Sequence, residues 1–126
     1  MDFSEAANAH RDWKIRLRTY VNGGGEPLDE LEVRRDDACD LGRWLHARPA
    51  EERGAVHLEL MAVHARFHQC AGDVVATVQR GQREQAVRMM DAGTAFADAS
   101  FRVVGLIARL TGSGPRKTGE DSPEIP

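Results

Sequence analysis

The chain has no surplus of positive charge, no long apolar run and almost no cysteine. Its 17 Lys and Arg face 20 Asp and Glu, for a net charge of −3. That balance excludes bulk attraction to nucleic acid or anionic lipid. The basic residues near the start (Arg11, Lys14, Arg16 and Arg18) read as a solvated helix face. The most apolar stretch, 101–110, is broken by Arg102 and Arg109 and is far shorter than the roughly 20 residues of a membrane span. Asp2 and Glu5 stand where a signal peptide would be basic, and no apolar core follows them. The expected location is therefore the cytoplasm, with no membrane insertion. The two cysteines, Cys39 and Cys70, argue against a structural disulfide in a reducing compartment and leave metal binding or redox chemistry open.

Strand-like alternation and internal repeats are missing as well. The 126 residues suffice for one domain of ordinary size. What is present is helical periodicity. A first helix begins at Asp2 or Ser4, both plausible caps, and runs to about residue 21. Its seam is Phe3, Ala6, His10, Trp13, Leu17 and Tyr20, in alternating steps of three and four. Asn22 and the three glycines after it stop this helix. A short second helix is predicted over 36–47, a long third over 50–80 and a fourth over 83–110. The third carries His57, Leu60, His64, Phe67, Ala71, Val74 and Val78 on its seam, and the fourth Ala86, Met89, Gly93, Phe96, Ser100, Val103, Ile107 and Leu110. The predicted fold is all-α: an antiparallel four-helix bundle over 1–111, three helices long and one short, followed by a disordered tail over 112–126.

Histidines occupy seam positions where apolar side chains belong. His10 and His64 lie on seams and His68 flanks one, four residues after His64, so the last two project from the same face. Unpartnered polar groups in a bundle core cost on the order of 1–3 kcal/mol each, and coordination to one ion would satisfy all three imidazoles. Cys39, three residues before Gly42, supplies a thiol. Three imidazoles and one thiolate form a complete ligand set for four-coordinate zinc and suit magnesium, calcium or manganese poorly, while copper or nickel could bind the same set in vitro by raw affinity. A closed set of four is structural or regulatory, because catalysis needs an open position. Asp36, Asp37 and Asp40 are candidates to accept from the outer ring nitrogens.

Enzyme signatures fail at specific residues. His64-Ala65-Arg66-Phe67-His68 has the zincin histidine spacing, but Ala65 replaces the catalytic glutamate. No Glu-x-x-His motif exists for a di-iron bundle. Gly23-Gly24-Gly25 lacks the spacing of a phosphate-binding loop. The protein is not expected to be an enzyme.

Three segments together carry a resemblance. His10-Arg11-Asp12-Trp13-Lys14, the run from Cys39 through Gly42 and Trp44 to Leu45, and the His64–His68 pair with Phe67 before its second member resemble the chemoreceptor zinc-binding (CZB) domain family over about 3–111. The resemblance implies a four-helix bundle holding one zinc through His10, Cys39, His64 and His68, often as a homodimer. It further implies a cytoplasmic bacterial regulatory module of chemotaxis or cyclic-di-GMP signalling, responsive to zinc or to oxidants such as hypochlorous acid through the zinc-bound cysteine. Neither a cyclase domain nor a receptor coiled coil accompanies the three segments, so a free-standing member with a signalling-protein partner is expected. The alternatives are a helical protein-interaction module whose core holds histidines, and a zinc buffer.

The remaining reactive side chains have plainer readings. His57 reads as a buried or interfacial histidine, and His46 as an exposed residue at a helix C-terminus. Cys70 reads as a spectator thiol, with a resolving cysteine for oxidised Cys39 as the alternative. Trp13 and Trp44 read as packing that shields the site, and Met89 and Met90 as core filler.

Overall fold

A computed structural model gives the structure of residues 1–112. The expected tail, apart from Gly112, lies outside the described residues. All regular structure among them is helical.

Helix α1 spans Phe3–Val21. The Asp2 carboxylate accepts from the Glu5 backbone N–H at 2.8 Å, and the Glu5 carboxylate accepts from that of Asp2 at 3.0 Å. This reciprocal capping satisfies two donors that a helix start leaves open. Past Asn22 the chain turns through Gly23 and Gly25, both at positive φ. The linker then forms a four-residue helix, α2 (Glu30–Val33), capped by the Asp29 side chain. Helix α3 spans Asp40–Ala47 and α4 spans Ala55–Gln79. Helix α5 covers Arg83–Arg88 and α6 covers Ala95–Thr111, with Thr94 as its cap and Gly112 in the left-handed conformation after it.

Three boundaries differ from the periodic reading, each for a local reason. The second predicted helix starts at Asp40, because the Cys39 side chain takes the cap position. The third starts at Ala55: Ala50–Glu52 form a separate 3₁₀ turn, and Arg53 and Gly54 are extended. The fourth is two helices, interrupted where Gly93 adopts φ +88° and the Thr94 hydroxyl accepts from the Ala97 N–H. Helix α5 already ends at Arg88 with Met89 as its cap; the left-handed glycine turns the chain and the capping threonine starts a new helix, whatever the apolar spacing across them.

Side-chain contacts fix the topology as up-down-up-down. Cys39 lies by His64 and His68 while Leu45 lies by His57, so α3 runs against α4. Phe67 packs on Phe96 and Glu59 faces Arg102 and Arg109, so α6 also runs against α4. Phe67 meets His10 and Trp13, and Arg83 reaches the carbonyls of Tyr20 and Val21, so α1 runs alongside α4 in the same sense. Leu17, Leu41, Leu45, Leu60, Phe67, Val74 and Ile107 are fully buried between these helices. Helix α4 is therefore the central element, and every other helix that carries a candidate ligand is built against it.

Candidate metal centre

His64 and His68 are one turn apart on α4, and both are buried. Their Nε2 atoms are 3.1 Å apart. The Cys39 sulfur lies 3.3 Å from Nε2 of His64 and 3.5 Å from Nε2 of His68. The three ligand atoms form one group, all within 4.8 Å of each other. Zinc–nitrogen bonds of about 2.05 Å and a zinc–sulfur bond of about 2.3 Å, at tetrahedral angles, place two nitrogens about 3.3 Å apart and nitrogen and sulfur about 3.6 Å apart. The observed separations are therefore those of one triangular face of a zinc tetrahedron, and the donor set fits the ion.

The backbone holds this face from several sides. Cys39 is the N-cap of α3, and its sulfur accepts from the Gly42 N–H at 3.3 Å. Gly42 has no room for a side chain: an added Cβ would lie 1.8 Å from the Asp36 carbonyl oxygen and 3.1 Å from Cε1 of His64. The glycine thus lets the α3 N-terminus, with its sulfur, close down onto the His64 ring. On the other side, His68 Nδ1–H donates to the Val33 carbonyl at 2.8 Å. A carbonyl only accepts, so this bond puts the His68 proton on Nδ1 and leaves a lone pair on Nε2, facing the group. Trp13 packs edge-on against the His68 ring at 4.8 Å. His64 Nδ1 is buried with no hydrogen-bond partner among the described residues.

Burial keeps these imidazoles neutral. It pushes His64 down to about 3, with smaller contributions from the charges of His68, His10 and His46. His68 is lowered by burial too, partly offset by its bond to Val33. Neutral imidazole is the form that binds metal. Burial raises the Cys39 thiol, against the pull of the Gly42 and Leu41 backbone N–H groups. A bound cation would reverse that balance in favour of the thiolate.

His10 is buried on α1 and stands outside the group of three. Its Nε2 is 2.9 Å from the Ser100 hydroxyl of α6, and its ring lies 4.6 Å from that of Phe67. Burial, then Lys14, then His68 push it down to about 3, so it is neutral and within electrostatic reach of the cluster.

None of the three aspartates serves a cluster histidine. Asp36 pairs with His46 at 3.2 Å, Asp37 with Arg35 at 3.0 Å and Asp40 with Arg43. For His68 the outer role falls to the Val33 carbonyl, while the Ser100 hydroxyl partners His10, outside the group. A backbone carbonyl has no sequence signature, and Ser100 reads only as one seam position among many. His57 is buried as expected, its Nε2–H donating to the Leu45 carbonyl at 2.9 Å near the end of α3. Cys70 follows His68 by two residues, about 200° round the helix, and lines a separate hollow with Met89 and Phe96. A cleft of about 310 Å³, walled by Trp13, Arg16, Leu28 and Val33, reaches Cys39 and His68 from outside.

No helix among the described residues is long and apolar enough to cross a membrane. Comparison with curated proteins and with solved structures gives no match. The family model of the chemoreceptor zinc-binding domain matches residues 10–75, more than half of the chain, and its span takes in the Cys39–His64–His68 group. The chain belongs to the chemoreceptor zinc-binding domain family.

Proposed function

We propose that residues 1–111 form a cytoplasmic regulatory sensor that holds one zinc ion per chain through His10, Cys39, His64 and His68. The observation that carries this reading is the triangle of 3.1, 3.3 and 3.5 Å between two imidazole nitrogens and a sulfur. His10, buried, neutral and electrostatically coupled to His68, is the fourth ligand in this reading. The ion supplies positive charge that keeps Cys39 a thiolate. The ligands stand on α1, at the head of α3 and on α4, so the site ties three helices together.

The cleft that reaches Cys39 gives a small oxidant access to its sulfur. Hypochlorous acid and the thiolate give sulfenic acid and chloride, which removes the anionic ligand. Zinc loss and Cys39 oxidation thus share one output, release of α3 from α4 and a looser bundle. In this reading the outer surface, where Phe101 of α6 is 80% exposed, docks to a second copy or to a signalling-protein partner.

Elemental analysis of untagged protein beside Cys39→Ala and His68→Ala tests the reading. About one zinc per chain, reduced in both variants, is expected. A folded protein without zinc in any preparation would leave the helical interaction module. Tight zinc binding that neither zinc depletion nor oxidant converts into a change of bundle or partner would leave the buffer.

A further inference from the structure

The Val33 carbonyl can orient His68 only while α2 is held against α4, and α2 is four residues long. So short a helix has no stability of its own. Its anchor is the next residue. The Arg34 guanidinium donates to the Gln69 carbonyl and to the Gln69 side chain, each at 3.1 Å. It pairs with Glu30 at 2.7 Å and with Asp73 at 3.0 Å. Its stem crosses α4 at Gly72, where an added Cβ would lie 2.3 Å from Cγ of Arg34 and 2.8 Å from Nε and Cζ. Gln69, Gly72 and Asp73 follow His68 by one, four and five residues. The clamp and the ligand therefore lie within about one and a half turns of α4.

We propose that Arg34 is a positioning residue of the metal centre: laid across Gly72, it locks α2 onto α4 so that the Val33 carbonyl fixes His68 with Nε2 facing Cys39 and His64. The missing side chain at residue 72 is half of the device, and the fork of the guanidinium is the other half. Lysine, with one nitrogen, could not hold Glu30, Gln69 and Asp73 together as Nε, Nη1 and Nη2 of the guanidinium do. This rests on the metal-binding reading only for its effect on affinity. Its effect on the His68 ring belongs to the protein without metal.

Two readouts separate those levels. The first is the ¹⁵N chemical shifts of the His68 ring in metal-free protein, comparing the unaltered chain with Arg34→Ala and Gly72→Ala. The unaltered chain is expected to show one tautomer, protonated at Nδ1, and both variants a mixture. The second is zinc affinity by competition with a chelator, in the unaltered chain and in a His68→Ala background. Arg34→Ala is expected to weaken zinc roughly 10–100-fold, the range for loss of support behind a ligating histidine, and to cost nothing further once His68 is gone. An unchanged His68 tautomer in both variants would overturn the proposal. So would an equal loss of affinity in the two backgrounds, which marks general loosening rather than action through His68. Zinc binding by neither chain, with the tautomer shifted as expected, would remove the metal reading and leave the clamp intact.

Discussion

The carbonyl of Asp36 occupies the place where residue 42 would carry a side chain: a Cβ on Gly42 would lie 1.8 Å from that oxygen. The same glycine donates its N–H to the Cys39 sulfur. One position thus fixes both the loop before α3 and the direction of the thiol. Gly42→Ala must push these apart, although alanine favours a helix. The expected result is a loss of stability of about 1–3 kcal/mol, with zinc affinity falling at least tenfold. Denaturant unfolding of the metal-free variant and a chelator titration measure the two effects. A more stable variant with unchanged affinity would contradict the steric account.

Cys39→Ala removes a ligand and a helix cap together. Loss of a cap costs about 1 kcal/mol, and Leu41 and Leu45 still hold α3 in the core. The variant should remain helical by circular dichroism while losing most of its zinc. Collapse to a coil would make the site a clamp on which the fold depends, not a switch.

Metal-free protein should weaken in mild acid. His10 and His64 are held near 3 in the folded chain and take the ordinary value of 6.5 when unfolded. Between these values the unfolded chain binds protons that the folded chain refuses, so their contribution is complete above about pH 6.5 and declines as pH falls toward 3. Each histidine adds at most about 1.4 kcal/mol per pH unit to that slope. Urea midpoints from pH 7 to pH 4 should fall more steeply for the unaltered chain than for His64→Gln.

Phe67 and Phe101 should behave oppositely. Phe67 is buried against His10, Trp13, His68 and Phe96. Its replacement by alanine should cost about 3–5 kcal/mol. Phe101 is 80% exposed, so Phe101→Ala should leave stability within about 0.5 kcal/mol. Thermal melts check both. If α6 docks to a second copy, sedimentation of Phe101→Ala shifts toward the monomer.

Cys70 lies round α4 from His68 and faces a different hollow. Cys70→Ser should keep full zinc content. Treatment with hypochlorous acid should leave Cys39 as sulfenic acid, trapped by a dimedone-type reagent, with no Cys39–Cys70 disulfide on peptide mapping. Finding that disulfide would restore Cys70 as a resolving cysteine.

Of the seam residues, Ala6, Leu17, Leu60, Phe67, Ala71, Val74, Val103 and Ile107 are buried, while Phe3, Trp13, Tyr20, Val78, Met89 and Leu110 are half-buried and Gly93 is exposed, because apolar spacing reports which helix face leaves water. Breaks that spacing does not encode were legible only in part. The Gly93–Thr94 signal is plain in the chain, yet the apolar pattern continues across it and favours one helix. The group of Cys39, His64 and His68 was legible as donors of the right chemistry at workable intervals. Its supports were not. Val33 contributes only a carbonyl, and Arg34, the clamp proposed above, reads as one more surface charge.

The chain's own residues set the helical class, the buried faces and the candidate donors of the metal centre, since each depends on residue type and short-range spacing. The tertiary structure alone decided that α2 and α3 close on α4, that His68 is oriented by a backbone carbonyl, and that His10 meets Ser100. Those relationships join residues 12 to 90 positions apart. Such distances are set by how whole helices pack, and no local pattern in the chain records them.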